Sequence, residues 1–127
     1  MNAMRTLESA RYVSLRTYRK SGVAVDTPVW CAGDENERLY VFSAGNAGKV
    51  KRLRNNHAAQ LAVCDFGGKL LDDWVDARAE VVDDAAELAV ALAALRNKYG
   101  WSMKLADLGA KLTGKFNRRA YIRIALT

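Results

Sequence analysis

The sequence predicts a small, mostly antiparallel β-barrel with helical insertions. Three observations lead there. Six segments have the alternation or the β-branched and aromatic composition of strands, and they follow one another through short turn-forming stretches. The helical patterns fall only after the third and fifth strands, which excludes the regular strand–helix alternation of a Rossmann sheet. A chain of 127 residues is the size of one domain. Half of its residues are hydrophobic and 27% are charged, a balance that suits a packed core and not a disordered chain.

The first strand is expected over Tyr12–Tyr18, with Val13, Leu15 and Thr17 on one face and Ser14 and Arg16 on a wet face. Lys20-Ser21-Gly22 is turn chemistry, and Val23–Ala32 then reads as one continuous second strand. Pro28 has no N–H to donate, so that strand belongs at an edge or carries a bulge, with backbone groups left free beside it. A turn over 33–37 leads to a third strand, Arg38–Ser43, and the two-glycine stretch 44–48 runs into a basic helix, KVKRLRNN. Ala58–Asp65 is the fourth strand, and Gly67-Gly68 is a turn. Trp74–Val82 is the fifth strand, with Val75, Ala77, Ala79 and Val81 inward. Asp84 and Glu87 have the spacing of a capping box for a helix ending at Gly100, whose core stripe is Leu88, Leu92, Leu95 and Tyr99. A shorter helix, Met103–Leu112, with Leu105, Leu108 and Leu112 in register, closes at Gly114. Ala120–Leu126 is the sixth strand.

Composition narrows the chemistry. No segment approaches the ~20 apolar residues of a membrane span, and Met1–Ala10 lacks the apolar run of a secretory signal, so a cytoplasmic protein is expected. Cys31 and Cys64 lie in apolar strands without metal-ligand spacing and read as reduced core residues. The single histidine, His57, has no nucleophile signature around it, and the carboxylates of 72–87 read as a solvated face, so hydrolase, metal and glycosidase chemistry are disfavoured. Any reaction would then need an imported cofactor. The net charge is +6, yet half of the fourteen acids fall between Asp72 and Glu87. The rest of the chain is strongly basic and suited to a polyanion. Ser43, the 44–48 loop, Lys49, Lys51 and Arg52 bring a hydroxyl, a helix N-terminus and cations together within ten residues, as a phosphate site requires. It is no Walker A motif, and by chemistry alone a solvated basic helix face remains open.

YVSLRTYRKSG, TPVW, LYVFSA, GKVKRLRNN, the CD of AVCDFGG, W-x-x-ARA and the closing KYG…YIRI together resemble, in order and spacing, the split β-barrel flavin/deazaflavin-dependent oxidoreductases related to pyridoxamine 5′-phosphate oxidase. The likeness runs from Tyr12 to Leu126 and is nearest to the short branch described as F-420-dependent. It implies a six-stranded antiparallel split barrel (the FMN-binding split barrel), with FMN or F-420 in a groove between the subunits of a homodimer and hydride transfer to or from a small-molecule substrate. The phosphate would lie over Lys49, Lys51 and Arg52, with Ser43 and Ala44 beside them. Thr27, Pro28, Val29 and Trp30 would line the flavin ring, and Trp74 would wall the site from the partner subunit. The excess of bases favours F-420, whose glutamyl tail FMN lacks. Two positions depart from the pattern: Arg16 stands where a small hydroxyl residue is usual, and Asp26 where a small apolar one is common. The pyridoxamine phosphate oxidases continue into a C-terminal segment that contacts substrate, whereas this sequence stops at Thr127, so vitamin B6 chemistry is not expected. Two other classes are a non-catalytic flavin- or haem-carrying protein and a nucleic-acid-binding module. His57 is the only histidine available as a haem ligand, and the basic run contains no interleaved aromatic residue.

Overall fold

The computed structural model describes residues 3–34, 36–44, 47–113 and 119–127. Its elements are α1 (Ala3–Ser9), β1 (Tyr12–Tyr18), β2 (Ala24–Val29), β3 (Cys31–Gly33), β4 (Leu39–Ala44), α2 (Gly48–Asn55), β5 (Ala58–Cys64), β6 (Val75–Val81), α3 (Ala85–Tyr99), α4 (Trp101–Leu112) and β7 (Arg119–Leu126). The strands form one antiparallel sheet in the order β2-β1-β5-β6-β7-β4-β3. β2 is one edge and β3 the other, yet only Trp30 separates them in the chain. Two edges tethered through a single residue must meet, because successive Cα atoms are ~3.8 Å apart. The sheet therefore curls into a split barrel, with Trp30 at the split.

The expected second strand, Val23–Ala32, is thus two strands, and the sheet has seven where six were expected. Local chemistry explains the switch. Pro28 lies opposite Ser14 on the edge strand β2, where its missing N–H leaves no gap in a ladder. Past Trp30 the backbone of Cys31 is taken over by side chains of α3. Its N–H donates to the Tyr99 hydroxyl at 2.8 Å, and its carbonyl accepts from Lys98 Nζ and from the Tyr99 hydroxyl. The single Tyr99 hydroxyl proton is shared between the Cys31 carbonyl and that of Arg11 at 3.0 Å, and Lys98 also donates to the Ala10 carbonyl. Burial lowers the pKa of the Lys98 ammonium and pushes that of Tyr99 up to about 12, so the hydroxyl remains a donor.

The barrel interior is filled by Val13, Leu15, Leu39, Val41, Leu53, Leu61, Ile122 and Ile124, with Met4 and Leu7 of α1 against it. Each fully buried aliphatic side chain of this kind contributes ~1.5–3 kcal/mol. α1 was not foreseen: it is seven residues long, and two buried positions make too short a pattern. A second cluster joins Ala32, Tyr40 and Tyr121 of the sheet to Ala91, Leu95, Tyr99 and Met103 of α3 and α4. Ser14, expected on a wet face, is buried. Cys31 and Cys64 are buried thiols, and burial pushes that of Cys31 up to about 12.

The α3 cap forms as expected, with the Asp84 carboxylate accepting the Glu87 N–H at 2.9 Å and Gly100 at the C-terminal end with φ +52°. The Glu87 carboxylate is committed elsewhere, to the Tyr40 hydroxyl at 2.9 Å and to Arg123 at 2.5 Å, which ties the start of α3 to β4 and β7. Helix α4 begins at Trp101, earlier than the expected Met103. Its leucines are not core residues: Leu105, Leu108 and Leu112 are exposed, and Met103 and Asp107 face the protein instead. Gly114, its expected terminus, and Gly45 and Asn46 of the glycine loop lie outside the described residues.

Candidate functional site

A cavity of about 310 Å³ opens between β2, β4 and α2, lined by Tyr12, Pro28, Val29, Trp30, Phe42, Ser43, Lys49 and Phe66. That volume lies at the small end of the usual range for ligand pockets. The topology assembles it from stretches far apart in sequence. β2 brings Pro28 and Val29, the strand switch brings Trp30, the end of β4 brings Phe42 and Ser43, and the first turn of α2 brings Lys49.

Its aromatic wall is held from behind. Trp30 stacks on Tyr99 with ring centroids 4.8 Å apart and planes 13° apart, and meets Phe42 edge-on at 6.0 Å. Phe42 in turn lies under the Arg119 guanidinium at 4.6 Å. Across the mouth, Phe66 meets Tyr12 in a T-shaped contact at 5.6 Å. The Lys98-Tyr99 pair that anchors Cys31 therefore also sets the plane of the Trp30 indole.

The basic wall comes from α2. Ala47 is its N-cap, and no side chain caps it. Lys49 is half-buried at the cavity, and burial together with the neighbouring Arg52 charge lowers its pKa. Arg52, one turn on, donates from Nε to the buried Thr17 hydroxyl at 2.7 Å. Its terminal Nη1 passes 2.6 Å from where a Cβ on Gly48 would stand, so a larger residue at 48 would displace the guanidinium. Two cations packed together with an uncapped helix start make a cradle suited to a dianion.

Of the expected site residues, Pro28, Val29, Trp30, Ser43 and Lys49 meet at this cavity. Arg52 lies beside Lys49 on the same face of α2, one turn away. Lys51 is exposed and does not line the cavity. Thr27 is a half-buried β2 residue paired with Leu15 and does not line the cavity, and Ala44 ends β4 opposite Arg119. Trp74 lies elsewhere, beneath the Arg16 guanidinium at 3.8 Å. The two departures, Arg16 and Asp26, face each other across β1 and β2 and form a bidentate pair at 2.8 and 3.1 Å. They are therefore one change. Sequence reasoning missed Tyr12, Phe42 and Phe66 in the lining and the bracing role of Lys98-Tyr99, because the β1/β5 register and the α3 docking that bring them there are tertiary. A larger groove of about 680 Å³ lies between α1, β3 and α3, lined by Glu8, Asp34, Asn97 and small residues. It lacks the aromatic wall and the paired cations.

With this geometry in view, the chain matches the family model described as pyridoxamine 5′-phosphate oxidase over residues 2–125. It belongs to that family. Solved structures agree in fold. A heme storage protein from Vibrio cholerae, HutZ, superposes with TM-score 0.71 at 13% identity, covering 97% of this chain and 86% of that one. A conserved hypothetical protein from Mycobacterium tuberculosis gives 0.68 at 18% identity, covering 99% and 81%. An F-420 reductase gives 0.60 at 18% identity, covering 100% and 95%. At such identities the likeness establishes the fold alone. No curated protein matches the sequence. Among the described residues, no helix is long and apolar enough to cross a membrane, and no three His, Cys, Asp or Glu side chains gather as for a metal.

Proposed function

We propose that this protein is a flavin- or deazaflavin-dependent oxidoreductase, a cytoplasmic homodimer whose residues 1–127 act as one split-barrel domain binding FMN or F-420 and serving a small organic substrate. The observation that carries this reading is the convergence of Lys49 and Ser43 with Pro28, Val29 and Trp30 on one cavity from three separate stretches of chain. The residues fit the cofactor. An anionic phosphate relieves the repulsion between Lys49 and Arg52 and accepts from the start of α2, and a planar ring suits the wall of Trp30, Val29 and Pro28.

In this reading Lys49 and Arg52 hold the phosphate, with Ser43 and Ala44 beside it and Lys51 as an outlying cation. Thr27 to Trp30 orient the ring, and Trp74 walls the partner subunit's site. When bound, the cofactor supplies the hydride chemistry. Tyr99 fixes Trp30 from behind, and the apolar lining excludes water.

The test is an absorption spectrum of the purified protein, followed by titration of the apo form with FMN and with F-420 at two salt concentrations. Binding of one or both is expected. Lys49→Ala and Arg52→Ala should each weaken it by on the order of tenfold or more, with the fold intact. Unchanged affinity in both variants would sink the phosphate assignment, and loss of bound nucleic acid at high salt with no coloured ligand would sink the whole reading. A second reading, a haem-carrying protein, draws on the fold likeness to HutZ. His57 speaks against it: its Nδ1 lies 2.9 Å from Arg78 Nη2, and it is not in the cavity lining. A haem Soret band in the same spectrum would favour that reading.

A further inference from the structure

Helix α4 turns its largest apolar side chains away from the protein. At ~100° of turn per residue, Trp101, Leu105, Leu108 and Leu112 fall within an arc of about 60°, and Met103 lies roughly opposite its centre. Met103 is fully buried against α3 and the sheet, whereas those four are 76%, 66%, 55% and 79% exposed. The helix thus rests on its back and carries a continuous apolar row along its crest. A row of this kind on a surface helix marks an interaction site. It begins with an indole, the side chain best suited to a boundary between water and hydrocarbon.

The charges around this helix are nearly all of one sign. Lys104 lies over the Trp101 ring at 4.8 Å. Lys104 and Lys111 fall on one flank of the row, about 40–60° from its edge. Arg11 and Arg96, both exposed, reach the helix from outside it, through the Ser102 hydroxyl at 3.1 Å and the Asp107 carboxylate at 3.0 Å. Asp107 is the helix's one acid, and it is turned inward, where Arg119 also holds it at 2.6 Å. No acid occurs from 108 to 127. An apolar row flanked by cations matches an apolar surface that carries anions.

We infer that α4 lies flat on an anionic lipid surface, with the Trp101–Leu112 row between headgroups and acyl chains and the flanking Lys104 at the lipid phosphates. At 12 residues the helix is too short to span a bilayer but long enough to lie in its interfacial plane. The lysine stem allows the row to be immersed while its ammonium stays at the headgroups.

The test is co-sedimentation of the full chain with vesicles of phosphatidylcholine alone or of phosphatidylcholine and phosphatidylglycerol in equal parts. The wild type should bind the mixed vesicles on the order of tenfold or more tightly than the neutral ones and be released as salt rises. Leu105→Glu/Leu108→Glu should weaken that binding by about tenfold or more with an unchanged melting temperature, because both positions are exposed. Lys104→Glu should weaken it by on the order of tenfold. Tryptophan emission should shift to the blue on binding, and Trp101→Phe should abolish the shift.

A wild type that binds neither vesicle, or both equally, would overturn the inference. So would binding that survives the leucine changes, or binding that Lys49→Ala/Arg52→Ala abolishes, since the latter would belong to α2. An oligomer that Leu105→Glu/Leu108→Glu dissociates, with no vesicle bound, would overturn it in favour of a second copy on the row. The cofactor reading is tested separately, because the leucine variant should bind FMN or F-420 as the wild type does.

Discussion

Helices α3 and α4 follow each other through Gly100 and carry apolar stripes of the same spacing, Leu88-Leu92-Leu95-Tyr99 and Trp101-Leu105-Leu108-Leu112. The first packs on the sheet, with Leu95 and Tyr99 buried and Leu88 and Leu92 against the same cluster. The second points to solvent, and the helix is held by Met103 and by the Asp107 ion pairs on its other side. Periodicity specifies that a helix has an apolar face, but not which surface that face meets. In α4 a buried carboxylate with two arginine partners outweighs the stripe, since turning the leucines inward would break both pairs and expose Met103.

The sharpest test of this contrast compares matched leucines. Leu95→Ala, in a packed site, should cost about 3–4 kcal/mol in chemical denaturation, whereas Leu108→Ala in the monomer should stay within ~0.5 kcal/mol. Equal costs would mean that α4 is not oriented as described.

Asp107→Ala should follow at about 2–3 kcal/mol, below the 3–5 typical of a fully buried pair because Arg96 is half exposed. Its pH dependence has a definite sign. Burial works to raise the Asp107 pKa, but the hydrogen bonds from Arg119 and Arg96 outweigh it and hold the carboxyl below the usual range. A carboxylate depressed in the folded state contributes stability above its unfolded pKa of ~3.9 and loses that contribution as pH falls through the folded value. The difference in stability between wild type and Asp107→Ala should therefore be full at neutral pH and shrink below about pH 4. A gap independent of pH would assign Asp107 a packing role only.

Tyr99→Phe should cost less than Asp107→Ala, about 1–2 kcal/mol from the orphaned Cys31 N–H. It keeps the ring stacked on Trp30, so tryptophan fluorescence should shift only if the hydroxyl, and not the ring, aims the indole.

Much of the fold was legible because alternation and capping act locally. Val75–Val81, Arg119–Leu126 and the Asp84 cap formed close to where period and spacing put them. The seam at Trp30 was not legible: Val23–Ala32 is one β-type run, and it divides only because Lys98 and Tyr99, some seventy residues on, take over the backbone of Cys31. At the candidate site Lys49, Ser43 and the Pro28–Trp30 stretch were readable as a cation, a hydroxyl and an edge strand. Lys51 was not separable from Lys49 by composition, although two residues of helix turn them to different faces.

By itself, then, the sequence determined most of the strands and the three longer helices, the edge position of the Pro28 segment, the basic start of α2 and the family, but neither α1 nor the division of Val23–Ala32. Only the tertiary structure decided that one β-run closes a barrel from both edges, that Arg16 and Asp26 answer each other, and that the leucines of α4 face outward. Each of those is a competition between partners distant in the chain, and it is settled by which buried polar groups find their hydrogen bonds.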